Sequence, residues 1–455
     1  MRDIVVTLLF AHFARHALRS PYVGALLWVW IGLMNPHRLG WGFAYSLPFG
    51  MASAAILLIG MLMHSKEVRW PKGVQLPLLI ALISWMGLTT VTAIHVGPSL
   101  SKYVEVLKVL GVTILVACVV INRKQIIGLI WVVTGSIAFF GIKGGVFTLL
   151  TGGAHRVWGP PSSLVNGNNE LALALVISIP LLYFLSRNLS ISSDLAIIGR
   201  VPVRYLKRGL QVSIFLCAIA AVGSQSRGAF LAIGAMGAML WWRSKSKLGL
   251  GILILLMVPA ILVFMPDEWT ARMNTIQTYQ QDRSAMGRIN AWSVAINIAN
   301  DRFLGAGFAT ATRVIYAMYA PDPDYVLVAH SIYFQMLGEH GYFGLFLYLM
   351  FWFSTYRMAG RLMAHGMRDP TLEWVGELGS MAKVSLTGFA VGAAFLSLAY
   401  WDMPFYIMVI LLVTENWVRQ QNAERSYSTS VEDGASMGLQ LDGGAADVRA
   451  RPSSC

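Results

Sequence analysis

Apolar runs close to the length of a bilayer crossing recur along almost the whole chain, and nothing constrains the fold more. About 20 mainly apolar helical residues cross roughly 30 Å of hydrocarbon. A soluble core of similar size would break such runs with polar faces every turn or two. The composition agrees: of 455 residues, 56% are hydrophobic and only 13% charged. The expected fold is therefore all-α, a polytopic membrane protein with about twelve transmembrane helices. The spans read as 20–35, 47–63, 74–95, 103–121, 126–150, 168–186, 209–223, 227–241, 248–266, 330–355, 378–400 and 403–418. Residues 4–18 carry Arg15 and fit either an interfacial helix or a partner of the first span. With no small-residue cleavage site after its short apolar core, this segment reads as retained.

The net charge of +13 points to topology rather than to nucleic acid. Loops on one side hold sixteen basic residues, among them Lys66, Arg69, Lys72, Arg123, Arg187, Arg361 and Arg368. The short loops opposite hold Arg38, Lys102, Arg156 and Arg227. The positive-inside rule places the first set in the cytoplasm, and the C-terminus with it. The chain then divides into N-terminal membrane helices (1–266), a large outer loop (267–329), C-terminal membrane helices (330–420) and a tail (421–455). The tail is polar, small and Gly-rich, which reads as disorder. Cys118 and Cys217 lie inside apolar runs and Cys455 ends the chain, so neither a disulfide framework nor a thiolate metal site is expected.

The outer loop has structure of its own. SAMGRINAWSVAINIANDRF reads as a helix with Ser284 as N-cap. Ile289, Trp292, Ile296 and Ala299 form an apolar stripe expected to face the membrane helices. GAG at 305–307 and PDP at 321–323 punctuate the rest of the loop, and Asp322 and Asp324 read as a turn.

Arginines on the outer side occur where orientation does not need them: Arg272, Arg283, Arg288, Arg302 and Arg313 in the loop, Arg156 in HRVWGPPSS and Arg227 in SQSRG. Lys143 in GIKGG lies near the outer end of its span. Cations gathered at one membrane face suit an anionic ligand, and guanidinium forks grip phosphate oxygens bidentately. The plain alternative for each is snorkelling to headgroups. Arg227 stands out because it starts a spanning helix after a very short turn. Arg288 does so because it shares a helix face with Trp292, Ala295 and Ala299.

His330 stands third in the run VAHSIYFQMLGEHGYFG. At a helix N-terminus the dipole favours a neutral ring, able to accept a proton as a general base must. The plain alternative is an interfacial, hydrogen-bonded histidine. If the helix starts at His330, Gly341 and Gly344 lie below it on one face and admit another helix, while Glu339 points the opposite way. No paired acidic motif or His-x-x-x-His spacing suggests a metal, and no Walker or dinucleotide fingerprint suggests a nucleotide. No cofactor is expected, so a reaction here would need a donor already activated.

The spacing His330-Ser331, nine residues, Gly341, two residues, Gly344 resembles the signature of the O-antigen ligase family. Arg227 with Leu231 resembles that family's Arg-x3-Leu element. GRINAW resembles the arginine-bearing helix of the wider ligase and polymerase superfamily. The N-terminal half, with MNPHRLGWGFAYSLPF and GIKGGVFTLLTGGAHRVWGPPSSLVNGNNELAL, is similar to ligase-like proteins encoded with exosortase systems and named O-glycosylation ligases. The resemblance implies a GT-C-type architecture in the bacterial inner membrane, with the active site facing the periplasm. It implies metal-independent, inverting transfer of a glycan from undecaprenyl pyrophosphate to a sugar hydroxyl of lipid A–core. His330 would be the base, and Arg227 and Arg288 would bind the pyrophosphate. Arg156 and Lys143 join them on charge and side alone. An O-antigen polymerase, a protein O-glycosylation ligase with the same donor, and a lipid-linked glycan transporter are the competing readings. A transporter would place its charges along a path through the membrane centre, whereas these gather at one face.

Overall fold

The computed structural model describes residues 1–195, 198–243, 246–249, 251 and 283–444, with the side chains of 243, 284 and 428–444 left aside. Most of the expected span 248–266 (250 and 252–266) and Arg272 lie outside the described residues. Fifteen α-helices are numbered among the described residues. They are α1 Arg2–Ala17, α2 Pro21–Met34, α3 Phe49–Met63, α4 Gln75–Val91, α5 Val96–Val119, α6 Arg123–Leu150, α7 Asn168–Arg187 and α8 Leu189–Ser192. Then come α9 Val203–Gly223, α10 Arg227–Arg243, α11 Arg283–Asp301, α12 Arg313–Tyr319, α13 Ile332–Arg368, α14 Glu373–Gly392 and α15 Asp402–Gly444.

A helix occupies every expected span that the structure describes. Four helical segments, α6, α7, α9 and the stretch containing α14, are long and apolar enough to cross a membrane by length and composition. Helices α2, α3 and α4 are shorter apolar ones. Helix α15 does not stop near 418 but runs to Gly444, into the segment read as a disordered tail.

Local chemistry sets several of the boundaries. Asn122 and Gln125 form a reciprocal capping box that starts α6. Pro21 occupies the first turn of α2, where its missing N–H costs nothing.

Helices in lipid gain little from burying apolar surface against each other and depend on close packing. The pair α6 and α9 shows how that is met. Gly141, Gly144 and Gly145 face α9 so closely that added Cβ atoms would come within 2.2 Å of Cys217 Sγ, 3.2 Å of Ala220 Cβ and 2.3 Å of the Leu216 carbonyl. The first turns of α15 are buried on every side, from Asp402 to Glu415. An element apolar all round is a central one, and α15 packs against α5, α6, α13 and α14.

The two ends of the bundle differ. At one end Arg187 reaches Glu377 (3.6 Å), Arg361 and Arg419 both reach Glu415 (2.6 and 3.2 Å), and Arg425 reaches Asp369 (2.5 Å). At the other end, α11, α12 and their loops form a small layer with its own core of Ala291, Val294, Ile298, Ala306, Ile315 and Tyr316. Backbone hydrogen bonds tie this layer down: Ile94 N–H to Ala306 O (3.0 Å), Ala306 N–H to Gly338 O (3.0 Å) and Gly307 N–H to Glu339 O (2.9 Å).

Three local expectations change. Helix α11 already includes Arg283, so Ser284 lies inside it rather than at its cap. Its inward face is Ala291, Val294, Ala295, Ile298 and Ala299, so Ala299 of the expected stripe is buried, while Ile289 and Ile296 are 40% and 39% exposed. The small residues win the interface because Ala295 packs directly on Gly338 of α13. Helix α13 begins at Ile332 and breaks at Gly341 (φ 68°, ψ −176°), so the residues after the break do not continue one face from His330. What approaches Gly341 is the Phe303–Gly305 loop, not another helix.

Candidate active site

Three turns meet at the end of the bundle that carries α11. The first joins α6 to α7, and its Val157 N–H donates to Gly223 O (3.3 Å). The second joins α9 to α10, with Gln225 in a left-handed conformation (φ 54°). The Gln225 side chain donates to Gly153 O (3.1 Å) and so fastens the second turn to the first. The third joins α14 to α15 and contributes Phe395, Leu396 and Ser397.

Between them lies a cavity of about 260 Å³, lined by Arg156, Arg227 and Arg288. These three half-buried arginines come from segments far apart in sequence. Asn168 and Asn169, in the first turn of α7, line the same space, as do Ser226 and Gly228 at the start of α10. Ser226 Oγ accepts from Ala229 N–H (3.2 Å) and caps α10, and Asn168 Nδ2 donates to Ser224 O (2.8 Å). Two helix N-termini thus add their partial positive charge to three guanidinium groups, an arrangement that attracts phosphate oxygens. The Glu170 carboxylate lies within electrostatic reach of Arg288 and provides the local counter-charge.

His330 does not line this cavity but lies close enough to feel the charge of Arg288. It sits in the loop before α13, in a left-handed conformation (φ 43°), and Ser331 rather than His330 is the N-cap. Its backbone N–H donates to Ser397 Oγ (3.0 Å), one residue from Leu396 of the cavity wall. Burial, then the nearby charge of Arg288, hold the imidazole below its usual pKa. The ring is therefore neutral at neutral pH. The helix dipole is not the cause, because the helix has not yet begun. Trp292 of α11 stacks on Phe334 of α13 (4.8 Å) and donates to Ala329 O (2.8 Å), which keeps Arg288 and His330 on neighbouring supports.

Not every expected residue joins them. Lys143 is exposed on α6 and does not line the cavity, because the glycine face beside it is the one that turns to α9. Arg283 stacks over Tyr325 (5.0 Å), and Arg302 donates to Thr92 O (2.8 Å) and Gly305 O (3.1 Å). Both act in the outer layer. Glu339 belongs to a separate buried chain, in which Tyr400 O–H donates to Glu339 Oε2 (2.5 Å). His340 Nε2 lies 2.8 Å from the same tyrosine oxygen, and Thr89 Oγ1 lies 2.7 Å from His340 Nδ1. Asp322 does form a turn, its backbone held on both sides by Asn290. Among the described residues, no group of three or more His, Cys, Asp and Glu side chains is placed to hold a metal ion.

The sequence reading missed Asn168, Asn169, Gln225, Ser226 and Ser397. A signal was present in GNNE and SQSRG, where polar residues crowd the mouths of apolar spans.

Fold and cavity together define a helical membrane protein with an arginine-lined cavity, and a histidine near it, at one end of its bundle. Residues 212–349 match the family described as O-antigen ligase. That region, under a third of the chain, contains Arg227, Arg288 and His330 and makes this part similar to the O-antigen ligase family. Residues 1–190, which contain Arg156 and Lys143, match a family of unknown function. No curated protein matches the chain.

Proposed function

We propose that this protein is an O-antigen ligase. It transfers a glycan from undecaprenyl pyrophosphate to a sugar hydroxyl of lipid A–core at the periplasmic face of the inner membrane. The observation that carries the reading is the convergence of Arg156, Arg227 and Arg288 on one cavity beside a neutral histidine. The diphosphate occupies the cavity, and the sugar it carries faces His330. His330 takes the proton of the acceptor hydroxyl as its oxygen attacks the anomeric carbon from the side opposite the phosphate. The carbon–phosphate-oxygen bond breaks with inversion, and undecaprenyl pyrophosphate leaves. The arginines and the two helix N-termini stabilise charge on the departing oxygens. Pyrophosphate is a good leaving group, so positioning and charge stabilisation are enough. Lys143 has no part in this scheme.

The test uses purified protein in detergent with EDTA, undecaprenyl-pyrophosphate glycan as donor and lipid A–core as acceptor. A gel shift of the acceptor with wild type, reduced about 10²–10⁴-fold in His330→Ala, is expected for loss of a general base. Normal turnover by folded His330→Ala would overturn the assignment. Longer chains on the donor lipid with no shifted acceptor would mean a polymerase.

A further inference from the structure

We infer that a second anion site lies at the opposite end of the bundle, and that its ligand is the headgroup of an anionic phospholipid. The segment between α3 and α4, the end of α5 and the middle of α15 line a pocket of about 440 Å³. Arg69, Lys72 and Arg419 line it, and so do Trp70 and Trp417. Among the described residues, the Arg69 and Lys72 side chains have no hydrogen-bond or ion-pair partner. Arg419 bonds Glu415 (3.2 Å), but that carboxylate is already engaged by Arg361 (2.6 Å), so the pocket keeps a positive excess.

The cations stand on a fixed support. Asn416 grips the backbone of Lys72 from both sides, accepting from its N–H (2.8 Å) and donating to its carbonyl (2.9 Å). The Arg69 N–H donates to Cys118 O at the end of α5 (2.8 Å). One wall is apolar, formed by Val120, Ile121 and Val413. Positive groups above, apolar wall below and indole rings at the rim match a lipid phosphate with its acyl chains directed into the bilayer. A soluble phosphate would leave the apolar wall unused. None of this depends on the chemistry proposed at His330.

Native mass spectrometry of the full-length protein tests the inference by titrating phosphatidylglycerol against phosphatidylcholine. Each cation near a lipid surface is worth about fivefold in binding. The Arg69→Gln/Lys72→Gln variant should therefore bind phosphatidylglycerol about thirtyfold more weakly than wild type. Lys66→Gln/Lys124→Gln changes two exposed cations outside the pocket and should leave most of the preference intact. Equal losses in the two variants would reduce the effect to general surface charge and overturn the site. So would equal binding of the two lipids by wild type. Displacement of the lipid by inorganic phosphate at similar concentration would make it a soluble-phosphate site instead. All of these side chains are exposed, so the variants should fold, and matching circular dichroism confirms that they do.

Discussion

Gly341 is the position where one added methyl group should do most damage. Its backbone (φ 68°, ψ −176°) lies in a region essentially reserved for glycine. A Cβ there would sit 2.1 Å from the Phe303 carbonyl oxygen and 3.2 Å from Gly305 N. Relief requires either regular helical geometry at 341 or displacement of the 303–307 loop by about an ångström, judged from ordinary contact distances. Either movement strains the hydrogen bonds from Ala306 to Gly338 (3.0 Å) and from Gly307 to Glu339 (2.9 Å). Backbone strain of about 1–3 kcal/mol and two hydrogen bonds of about 1 kcal/mol each put Gly341→Ala about 3–5 kcal/mol below wild type. The comparison is Gly135→Ala in the middle of α6, where the new methyl meets nothing within 4 Å. That change should be neutral or stabilise by up to about 1 kcal/mol. Thermal unfolding of both variants in detergent gives the answer. Equal midpoints would refute the helix break and the loop docked against it.

Charge and burial set two further outcomes. With His330 as the proposed neutral base, the acid limb of kcat/KM should fall below pH 6.5, because its pKa is lowered by burial and then by Arg288. In Arg288→Gln that limb should move upward, toward 6.5, alongside a loss of donor affinity; a limb that stays in place would separate the two residues. The same shift has a stability consequence. The unfolded chain binds the proton more tightly, so folding stability is present above the unfolded pKa of about 6.5 and is lost as pH falls through the lowered folded value. Tyr400→Phe removes the donor to Glu339 and the partner of His340 Nε2. Leaving a buried polar group unmatched costs about 1–3 kcal/mol, and an unchanged unfolding midpoint would show that the chain from Thr89 to Glu339 is not load-sharing.

Much of the fold was legible because apolar runs report helices directly. The first turns of α2, α6 and α7 fall within a few residues of their expected starts. The outer helix was legible too, but its buried face was not. Ile289 and Ile296 are the more hydrophobic side, yet Ala295 is the one that lets α11 reach Gly338. Hydrophobicity alone misleads where the neighbour is a glycine and closeness matters more than size. For the site, each arginine was visible singly as an unneeded outer cation. Their convergence was not, since it depends on turns joined by Gln225 and Val157. Lys143 had the same charge, but it sits on an exposed face of α6, away from the cavity that the turn after α6 brings Arg156 to. The buried partner of Glu339, Tyr400, lies 61 positions along the chain, a pairing that no local pattern announces.

Ser397 connects the histidine to both the arginine cavity and the buried chain. His330 is held at φ 43°, a conformation that costs a non-glycine residue about 1 kcal/mol or more. Something must hold it there, and the bond from its N–H to Ser397 Oγ is the contact that does so from the α14–α15 turn. The same turn supplies Leu396 to the arginine cavity and Tyr400 to the buried chain. Its position is therefore fixed from both sides, and Ser397 passes that fixity to the histidine backbone. Ser397→Ala removes one hydrogen bond, about 1 kcal/mol in stability, but on the proposed scheme lets the imidazole leave the position from which it takes the acceptor's proton. Because the arginines are untouched, the expected signature is a kcat lowered by about tenfold, equivalent to about 1.4 kcal/mol of barrier, with donor affinity unchanged. Ser397→Thr keeps the hydroxyl and should restore most of the rate. A merely structural role would instead lower stability in Ser397→Ala while leaving kcat per folded molecule at the wild-type value, and that result would detach Ser397 from the chemistry.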